Sequence, residues 1–276
     1  MPAVGALSDQ VESWPVGRAA AAVIAPGQVL ETLGDSTWTV RIASVSKLIA
    51  AFAVLVGLEE ETLDIEESAG PPGSTVRHLL AHASGLLFDQ HRTVTAPGRR
   101  RIYSNAGIEQ LADHLAERAG MPFAEYQRHA VLEPLGMTAT FLRGSPAHDV
   151  WSNTDDLARL ALELLTPTLI SADTFRAATS VQFPELRGGV PGLGSFDPNP
   201  WGLGFEIRGD KSPHWTGFLN SPSTYGHFGG TGTFLWVDPE HQVAALALTD
   251  RQFGEWSLAA WPAFSDEVIR SYTQTG

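Results

Sequence analysis

Strand-forming sequence occupies both ends of this 276-residue chain, and helix-forming sequence fills the middle. Near the start, β-favouring runs are interrupted by Pro26-Gly27 and Gly34-Asp35, which predicts two or three strands. Strand patterns return in GFEIRGD, TYGHFGG, TGTFLWVDPEHQ and VAALALTDR, before a closing helix in EWSLAAWPAFSDEVIRSYT. This order favours one antiparallel sheet whose halves come from the two termini and which helices flank.

The middle of the chain has the periodicity of helices. Between residues 59 and 180, apolar side chains recur three and four positions apart, most clearly in AGIEQLADHLAERAG and TDDLARLALELL. Glycine and proline crowd residues 184–204, which predicts a long loop over or beside a functional region. The sequence therefore predicts an α+β protein with an inserted, mainly helical part.

The length of the chain and its 43% hydrophobic side chains are enough for one sizeable core. We expect residues 1–276 to form a single domain with two interleaved parts. These are an α/β subdomain at about 1–58 plus 200–276 and a helical subdomain at about 59–199.

Composition narrows the possible partners. The net charge of −13 means that nucleic acid and anionic membrane surfaces would repel the chain. The lack of cysteine excludes disulfides, thiolate metal sites and a cysteine nucleophile. The longest apolar run, Leu48 to Leu58, is well short of the roughly 20 residues that span a bilayer. No secretory signal is recognisable, so we expect a cytoplasmic protein, with a trimmed export signal as the alternative.

A serine and a lysine, Ser44 and Lys47, lie three residues apart directly before that apolar run. In a helix, residues i and i+3 share a face, so the Lys47 amine can reach the Ser44 hydroxyl. Apolar surroundings lower the pKa of a lysine, which makes Lys47 a candidate base for a nucleophilic Ser44. The alternative is that Ser44 only caps a helix and Lys47 extends to water. The chain has just one other lysine, Lys211, so lysine is not its general solubilising residue.

A second motif, Tyr103-Ser104-Asn105, precedes a helical segment. A tyrosine whose pKa is lowered by a nearby lysine can act as a general base, and an asparagine can bind a substrate carbonyl or amide. The alternative is structural, with Asn105 capping a helix and Tyr103 on the surface.

A third motif, His227-Phe228-Gly229, lies in TYGHFGGTGTF. The strand-like residues lead into Gly229 and Gly230, which allow a close approach of the backbone to a ligand. A histidine beside glycines also fits a purely structural or surface position.

Together, these motifs resemble the S-x-x-K, Y-x-N and K/H-x-G set of the serine β-lactamase and penicillin-binding protein superfamily. The resemblance is strongest to the class C β-lactamase-like branch, which also contains D-alanyl-D-alanine carboxypeptidases and esterases. Supporting segments such as VRHLLAHASGL, VLEPLGMTAT, WSNTDDLARLA and WGLGFEI occur in the expected order, so the resemblance covers roughly residues 18–270. It implies a single catalytic domain with the β-lactamase/transpeptidase-like α+β fold.

The resemblance implies roles for the residues of the reaction. Ser44 would attack the acyl carbonyl, and Lys47 would take or relay its proton. Tyr103 would assist as base in acylation and as acid when the leaving group departs. Lys47 and Tyr103 are expected to titrate as a coupled pair.

It also implies roles in substrate binding. Asn105 would orient the acyl side chain, while His227 and Gly229 would lie on the strand that lines the site. Gly230 would share an oxyanion hole with the backbone N–H of Ser44.

His227 stands where many members of the superfamily have lysine. An ordinary imidazole is mostly neutral at pH 7, so a permanent cation for a substrate carboxylate is missing. That weakens the case for a dedicated β-lactamase, whereas peptidases and esterases of the superfamily tolerate histidine here. Arg99, Arg100 and Arg101 could supply positive charge to an anionic substrate, although a solvated loop is the favoured interpretation.

Other chemistries have weaker support. His78 and His82 have the spacing of two metal ligands, but the glutamate of H-E-x-x-H and a third ligand are missing, so we expect no metal and no other cofactor. Trp151, Trp201 and Trp215 are candidates for an apolar acyl pocket or simply for the core.

We therefore expect a serine hydrolase that forms an acyl-enzyme on Ser44 and acts as an esterase or amidase on a small ester, amide or D-amino-acid derivative. The expected partner is a small-molecule substrate, without nucleic acid or membrane, and the sequence leaves the oligomeric state open. The alternatives are a β-lactamase or D,D-carboxypeptidase proper and a catalytically idle relative that binds a ligand or a protein.

Overall fold

The computed structural model describes residues 6–272 of the chain, and the strands lie in three sheets. The strands are β1 (Ala19–Ala25), β2 (Gln28–Leu33), β3 (Val40–Arg41), β4 (Phe141–Leu142), β5 (Val150–Ser152), β6 (Gly188–Val190), β7 (Gly194–Phe196), β8 (Glu206–Ile207), β9 (Tyr225–Gly229), β10 (Thr233–Asp238) and β11 (Val243–Thr249). The main sheet is antiparallel in the order β2-β1-β11-β10-β9-β8. This confirms the predicted α+β fold with a sheet built from both ends of the chain.

Helices cover both faces of this sheet. They are α1 (Ala6–Glu12), α2 (Ser46–Glu59), α3 (Val76–Leu80), α4 (Asn105–Ala119), α5 (Phe123–Gln127), α6 (Thr154–Leu165), α7 (Ala172–Ala178) and α8 (Glu255–Tyr272). A 3-10 turn at Ala43–Val45 precedes α2, and a π-helical turn at Arg128–Leu132 follows α5. Among the helices of residues 6–272, none has the length and apolar character that a membrane crossing requires.

The two halves of the sheet meet where β1 pairs with β11. Alternate residues of β1 enter different cores: Ala22 and Ile24 pack in the core that contains α2 and α6, and Ala21 and Val23 pack in the core that contains α1 and α8. Because both faces are covered, β1 is an almost continuous apolar run rather than an alternating one. The same burial explains α2, which is apolar on every side and is buried in 12 of its residues.

Three local features differ from the sequence predictions. The segment 184–204 is not wholly a loop, because β6 and β7 form a hairpin within it. The third N-terminal strand, β3, leaves the main sheet and pairs with β5 in a small sheet of order β3-β5-β4. Helix α1 was not predicted, whereas α7 lies within the segment 59–180 that was predicted to be mainly helical. The proposed subdomain boundaries remain a prediction.

Candidate active site

Ser44 lies in the 3-10 turn, two residues before α2 begins at Ser46. Ala43, at the start of the turn, has a φ of +46°, a left-handed conformation that costs a non-glycine residue roughly 1–2 kcal/mol. The Ser46 hydroxyl fixes the other end of the turn by accepting a hydrogen bond from the backbone N–H of Val150 at 3.1 Å. This sharp turn leaves Ser44 half-buried at the edge of a cavity.

Lys47 is fully buried, and its amine has three polar partners. Its Nζ lies 3.3 Å from the Ser44 hydroxyl oxygen, 2.6 Å from Asn105 Oδ1 and 2.9 Å from the Ala147 carbonyl oxygen. The amine therefore reaches Ser44, as the spacing in the sequence predicts, and does not extend to water.

Burial lowers the pKa of Lys47 to about 7, although the carboxylates of Asp89 and Glu109 act in the opposite direction. Three oxygen partners match the three N–H donors of the ammonium, and after loss of one proton the amine keeps two donors and gains a lone pair. The oxygens of Asn105 and Ala147 can only accept, so they take the donors and leave the lone pair for the Ser44 hydroxyl proton. Near neutral pH, Lys47 is thus equipped to deprotonate Ser44.

Tyr103 is buried beside this pair, and Lys47 Nζ lies 4.7 Å from the centre of its ring. Burial raises the pKa of its phenol well above the ordinary value, with the Ser44 hydroxyl acting in the opposite direction. The expectation of a lowered Tyr103 pKa is therefore wrong, because its apolar surroundings disfavour the phenolate. Within residues 6–272 the Tyr103 hydroxyl makes no well-formed hydrogen bond, and only a weak contact with the Ser44 hydroxyl lowers its pKa. It is a protonated group available to an incoming molecule.

Asn105 is the first residue of α4, but it is not the cap of that helix. Ser104 is the cap, and its hydroxyl accepts a hydrogen bond from the backbone N–H of Gly107 at 2.9 Å. The Asn105 side chain instead bridges two groups. Its Oδ1 accepts from Lys47, and its Nδ2 donates to Asp89 Oδ1 at 2.7 Å.

His227 lies on β9, and its ring centre is 5.5 Å from that of Tyr103. Its Nδ1 is 2.6 Å from the Phe228 carbonyl oxygen, which assigns the proton to Nδ1 and leaves Nε2 as an acceptor without a partner in the described residues. Burial, together with the charge of Lys47, lowers the pKa of His227 to about 3. The imidazole is therefore neutral at physiological pH and supplies no cation.

Two glycines bring β9 close to the nucleophile. A Cβ on Gly229 would lie 2.4 Å from the Ile42 carbonyl oxygen, so only glycine lets the strand pass the turn at this distance. Gly230 follows and borders the same cavity as Ser44. The N–H of Ser44 lies in the first turn of a helix, where no intrahelical carbonyl is available. The N–H groups of Ser44 and Gly230 are therefore the candidate oxyanion donors.

Ser44, Tyr103, His227 and Gly230 line a cavity of about 220 Å³, whereas Lys47 and Asn105 lie behind this wall. Its other walls are mostly apolar: Phe88, Val190, Pro191, Gly192, Trp201, Phe228 and Phe253. No lysine or arginine of residues 6–272 lines it. A second groove of about 470 Å³ shares the wall formed by Phe88, Tyr103, Val190 and Pro191. The arrangement contains a candidate nucleophile, a candidate base, a candidate acid and two candidate oxyanion donors, which together suit acyl transfer.

Residues 18–268 match the protein-family model described as Beta-lactamase. The chain belongs to the Beta-lactamase family. The resemblance based on the three motifs, including its class C-like branch, is confirmed, and members of this family are typically serine hydrolases.

Solved structures share the fold of this chain. A beta-lactamase from Mycobacterium bovis is 49% identical with a TM-score of 0.96, and the match covers 97% of this chain and 99% of that one. EstCE1, a hydrolase with promiscuous acyltransferase activity, matches with a TM-score of 0.77 over 95% of this chain and 98% of its own. Its identity is 16%, so this likeness concerns the fold alone.

Curated relatives are more distant. A protein of Salmonella enteritidis, provisionally named a D-alanyl-D-alanine carboxypeptidase, is 26% identical over 225 residues. The match covers 62% of this chain and 52% of the relative, so the chain spans about half the length of the curated relatives it matches.

Sequence reasoning missed two partners in this Beta-lactamase family site. Asp89 lies in an exposed loop, in the segment LLFDQ, and neither periodicity nor motif spacing marks it. Ala147 contributes a backbone carbonyl, which any residue type could supply. Of the three tryptophans considered, Trp201 lines the cavity, Trp215 is buried in the core, and Trp151 is half-buried on β5.

The three arginines ahead of Tyr103 divide into two groups. Arg99 and Arg100 are exposed, as the favoured interpretation has it. Arg101 is buried, and its guanidinium donates hydrogen bonds to four backbone carbonyls, those of Ala81, Gln182, Phe183 and Asn199. It ties these segments together.

The two histidines of HLLAH have other partners. His78 Nδ1 is 2.9 Å from the Thr75 hydroxyl, and His82 Nδ1 accepts from the backbone N–H of Ser104 at 3.2 Å. Residues 6–272 contain no cluster of three side chains suited to hold a metal ion.

Proposed function

We propose that this protein hydrolyses small neutral esters through an acyl-enzyme on Ser44. The observation that carries the proposal is the buried Lys47 amine, 3.3 Å from the Ser44 hydroxyl oxygen and with a pKa of about 7. A serine hydroxyl becomes an effective nucleophile when such a base accepts its proton. A retained site of this kind also argues against a catalytically idle relative.

Acylation follows from the positions of the groups. The Ser44 oxygen attacks the carbonyl carbon of the ester, and Lys47 accepts the hydroxyl proton. The N–H groups of Ser44 and Gly230 stabilise the oxyanion, each by roughly 3–4 kcal/mol. The bond to the leaving alcohol then breaks, and Tyr103 donates a proton to the departing oxygen. The proton on Lys47 replaces the one that Tyr103 has lost, so the acyl-enzyme carries no extra charge.

Deacylation uses the same groups with water as the nucleophile. Lys47 accepts a proton from the water as its oxygen attacks the acyl carbon. The bond to the Ser44 oxygen breaks, Lys47 returns its proton to that oxygen, and the carboxylic acid leaves.

The preference for neutral substrates rests on the charges around the cavity. His227 is neutral, with a pKa of about 3, and no lysine or arginine of the described chain lines the cavity. The cavity walls suit a short apolar acyl group. The adjoining groove of about 470 Å³ can take the other half of an ester, and it is there, outside the cavity itself, that Arg100 and Arg101 contribute to the lining.

The second candidate is a D,D-carboxypeptidase or β-lactamase, whose substrates carry a carboxylate. The names of the curated relative from Salmonella enteritidis and of the Mycobacterium bovis protein favour it. The uncharged cavity walls count against it, because a carboxylate that loses its water needs a cation or several donors there.

Covalent labelling tests the proposal. A fluorophosphonate should add one mass increment to the wild type, and peptide mapping should locate it on Ser44. Ser44→Ala should show no adduct and no turnover of p-nitrophenyl acetate. A panel of p-nitrophenyl acetate, a chromogenic cephalosporin and a D-alanyl-D-alanine peptide should show the highest kcat/KM for the ester. An unlabelled wild type would overturn the acyl-enzyme, and a preference for the peptide or the cephalosporin would favour the second candidate.

A further inference from the structure

We propose that Asp89 is a positioning residue for the base of the reaction: it orients the Asn105 amide so that the amide oxygen holds Lys47. The proposal rests on the proposed function, in which Lys47 accepts the proton of Ser44. It also gives Asn105 a task different from orienting the acyl group of the substrate.

The contacts form a single line from the surface loop to the nucleophile. Asp89 Oδ1 accepts a hydrogen bond from Asn105 Nδ2 at 2.7 Å, and Asn105 Oδ1 accepts one from Lys47 Nζ at 2.6 Å. Lys47 Nζ then lies 3.3 Å from the Ser44 hydroxyl oxygen. Three side chains therefore act in sequence on one serine.

The chemistry of the amide explains why a carboxylate is needed at the outer end. An asparagine side chain has a donor end and an acceptor end of almost equal shape, and rotation by half a turn exchanges them. An ionised carboxylate can only accept, so Asp89 selects the orientation in which the NH₂ group faces outward and the oxygen faces Lys47. In the opposite orientation, Asn105 would present N–H groups to the amine and compete for its lone pair.

The lone pair of Lys47 is what Ser44 needs. With the oxygens of Asn105 and Ala147 accepting its two N–H donors, the neutral amine directs its lone pair to Ser44. Loss of the Asn105 orientation would leave one donor unpaired and free to turn toward the Ser44 oxygen. Misplacement of a reacting group by about 1 Å can cost roughly 100-fold in rate.

Other ionisable groups also face Lys47. They make it possible to distinguish the electrostatic effect of a nearby carboxylate on the Lys47 pKa from the positioning effect of Asp89. Tyr103, His82 and His227 are neutral near pH 7 because burial disfavours their charged forms. Glu109, on α4, opposes the lowering of the Lys47 pKa as Asp89 does. Glu109 accepts a hydrogen bond from the Ser145 hydroxyl, whose oxygen accepts one from the Ala147 N–H at 3.2 Å, and it lies 3.7 Å from His91. A glutamine at position 109 keeps an oxygen that can accept from Ser145 and removes only the charge. Glu109→Gln is therefore the matched control for charge alone.

The test compares Asp89→Ala, Asp89→Asn and Glu109→Gln by measuring kcat/KM for p-nitrophenyl acetate between pH 5 and pH 9. The wild-type rate should rise through a midpoint near pH 7 as Lys47 loses its proton. Removing either carboxylate should move this midpoint to lower pH, by roughly half a unit, because a negative neighbour no longer favours the charged amine.

The plateau at high pH distinguishes position from charge. Asp89→Ala should lower it by roughly tenfold or more, and Asp89→Asn should lower it less, since its side-chain oxygen can still accept from Asn105. Glu109→Gln should leave it unchanged. If Asp89→Ala shifted the midpoint but kept the plateau, as Glu109→Gln does, the positioning role would be refuted. A wild type that fluorophosphonate does not label at Ser44 would instead refute the proposed function on which the inference rests.

Discussion

The two buried tyrosine hydroxyl groups of Tyr103 and Tyr225 differ in role: we expect one to contribute to catalysis and the other to the stability of the fold. The Tyr103 hydroxyl makes no well-formed hydrogen bond among residues 6–272, whereas the Tyr225 hydroxyl donates to the Leu164 carbonyl oxygen at 2.6 Å, away from the cavity. A buried hydroxyl without a partner costs free energy, and one with a partner contributes about 1 kcal/mol. The unpartnered group borders the candidate nucleophile, where a substrate would supply the missing contact.

Tyr103→Phe should therefore lower kcat/KM for p-nitrophenyl acetate by roughly 10²–10⁴-fold, because the proton donor to the leaving group is lost. Its free energy of unfolding, measured with urea, should stay the same or rise. Tyr225→Phe is the control: it should lose about 1 kcal/mol of stability and keep its activity. Full activity in Tyr103→Phe would exclude its hydroxyl as the acid.

The two lysines of the chain are both buried, and their different polar partners influence the protonation of each amine in different ways. Lys47 faces neutral oxygens and a hydroxyl, and its pKa falls to about 7. Lys211 is also buried, and burial lowers its pKa too, but the Glu206 carboxylate at 3.0 Å acts in the opposite direction and favours its charged form. The scarcity of lysine is visible in the sequence, whereas the difference between a base and an ion-pair partner depends on contacts that only the fold supplies.

At the scale of elements, strand β8 carries the carboxylate of this ion pair at the edge of the main sheet. Glu206 accepts hydrogen bonds from Lys211 and from Trp215 Nε1 at 2.9 Å, and lies 3.3 Å from His214 Nε2. Burial acts to raise the Glu206 pKa, but the Lys211 charge and these hydrogen bonds hold it well below its usual range. The cluster fixes the segment between β8 and β9, the strand on which His227 lies.

Glu206→Gln should lower the free energy of unfolding at pH 7 by roughly 3–5 kcal/mol, because Lys211 would be left buried without its counter-charge. Urea denaturation measures the loss, and exposed Glu240→Gln is the control with little expected change.

The contribution of Glu206 to the free energy of unfolding depends on pH with a definite sign. Because the Glu206 pKa is lower in the folded than in the unfolded protein, the ionised carboxylate stabilises the folded state at pH values above the ordinary glutamate pKa. This stabilisation is lost as the pH falls toward the folded-state pKa. If the Glu206→Gln variant were as stable as the wild type, the Glu206–Lys211 ion pair would make no net contribution to the free energy of unfolding.

Elements with continuous apolar sequence could be predicted because both of their faces are buried. The strand β1 and the helix α2 are of this kind. The 3-10 turn before α2 could not be predicted, since its left-handed residue is an alanine rather than a glycine. The hairpin of β6 and β7 was hidden among glycines and prolines that are equally typical of an open loop.

The site was predictable where its residues belong to motifs. Ser44, Lys47, Tyr103 and His227 meet around one cavity or directly behind it. Two partners of Lys47, Asn105 and Ala147, are 58 and 100 residues distant in sequence. The motif indicated Asn105 as a site residue but not as a partner of Lys47, and no local pattern indicates the backbone oxygen of Ala147. The protonation state of Tyr103 was mispredicted for a related reason, because its desolvation comes from neighbours contributed by several separate segments.

At the scale of the whole molecule, the net charge of −13 surrounds a cavity without a fixed cation among the described residues. An anionic substrate should be repelled at long range, and salt screens this repulsion, since the Debye length falls from about 30 Å at 0.01 M to about 8 Å at 0.15 M.

Raising the ionic strength over this range should increase kcat/KM severalfold for a p-nitrophenyl ester with a terminal carboxylate. The rate for the uncharged ester of the same length should stay constant, which makes it the control. Equal responses of the two esters would contradict electrostatic repulsion as a determinant of substrate choice.

The left-handed Ala43 has a consequence for engineering. A glycine there would relieve strain of roughly 1–2 kcal/mol and would cost roughly 0.5–1 kcal/mol in chain entropy, so the melting temperature would hardly change. The turn that aims Ser44 would nevertheless gain freedom. A thermostability screen would therefore accept Ala43→Gly as harmless, although it loosens the one peptide unit that presents the nucleophile. Variants of this protein should be selected by turnover as well as by heat resistance.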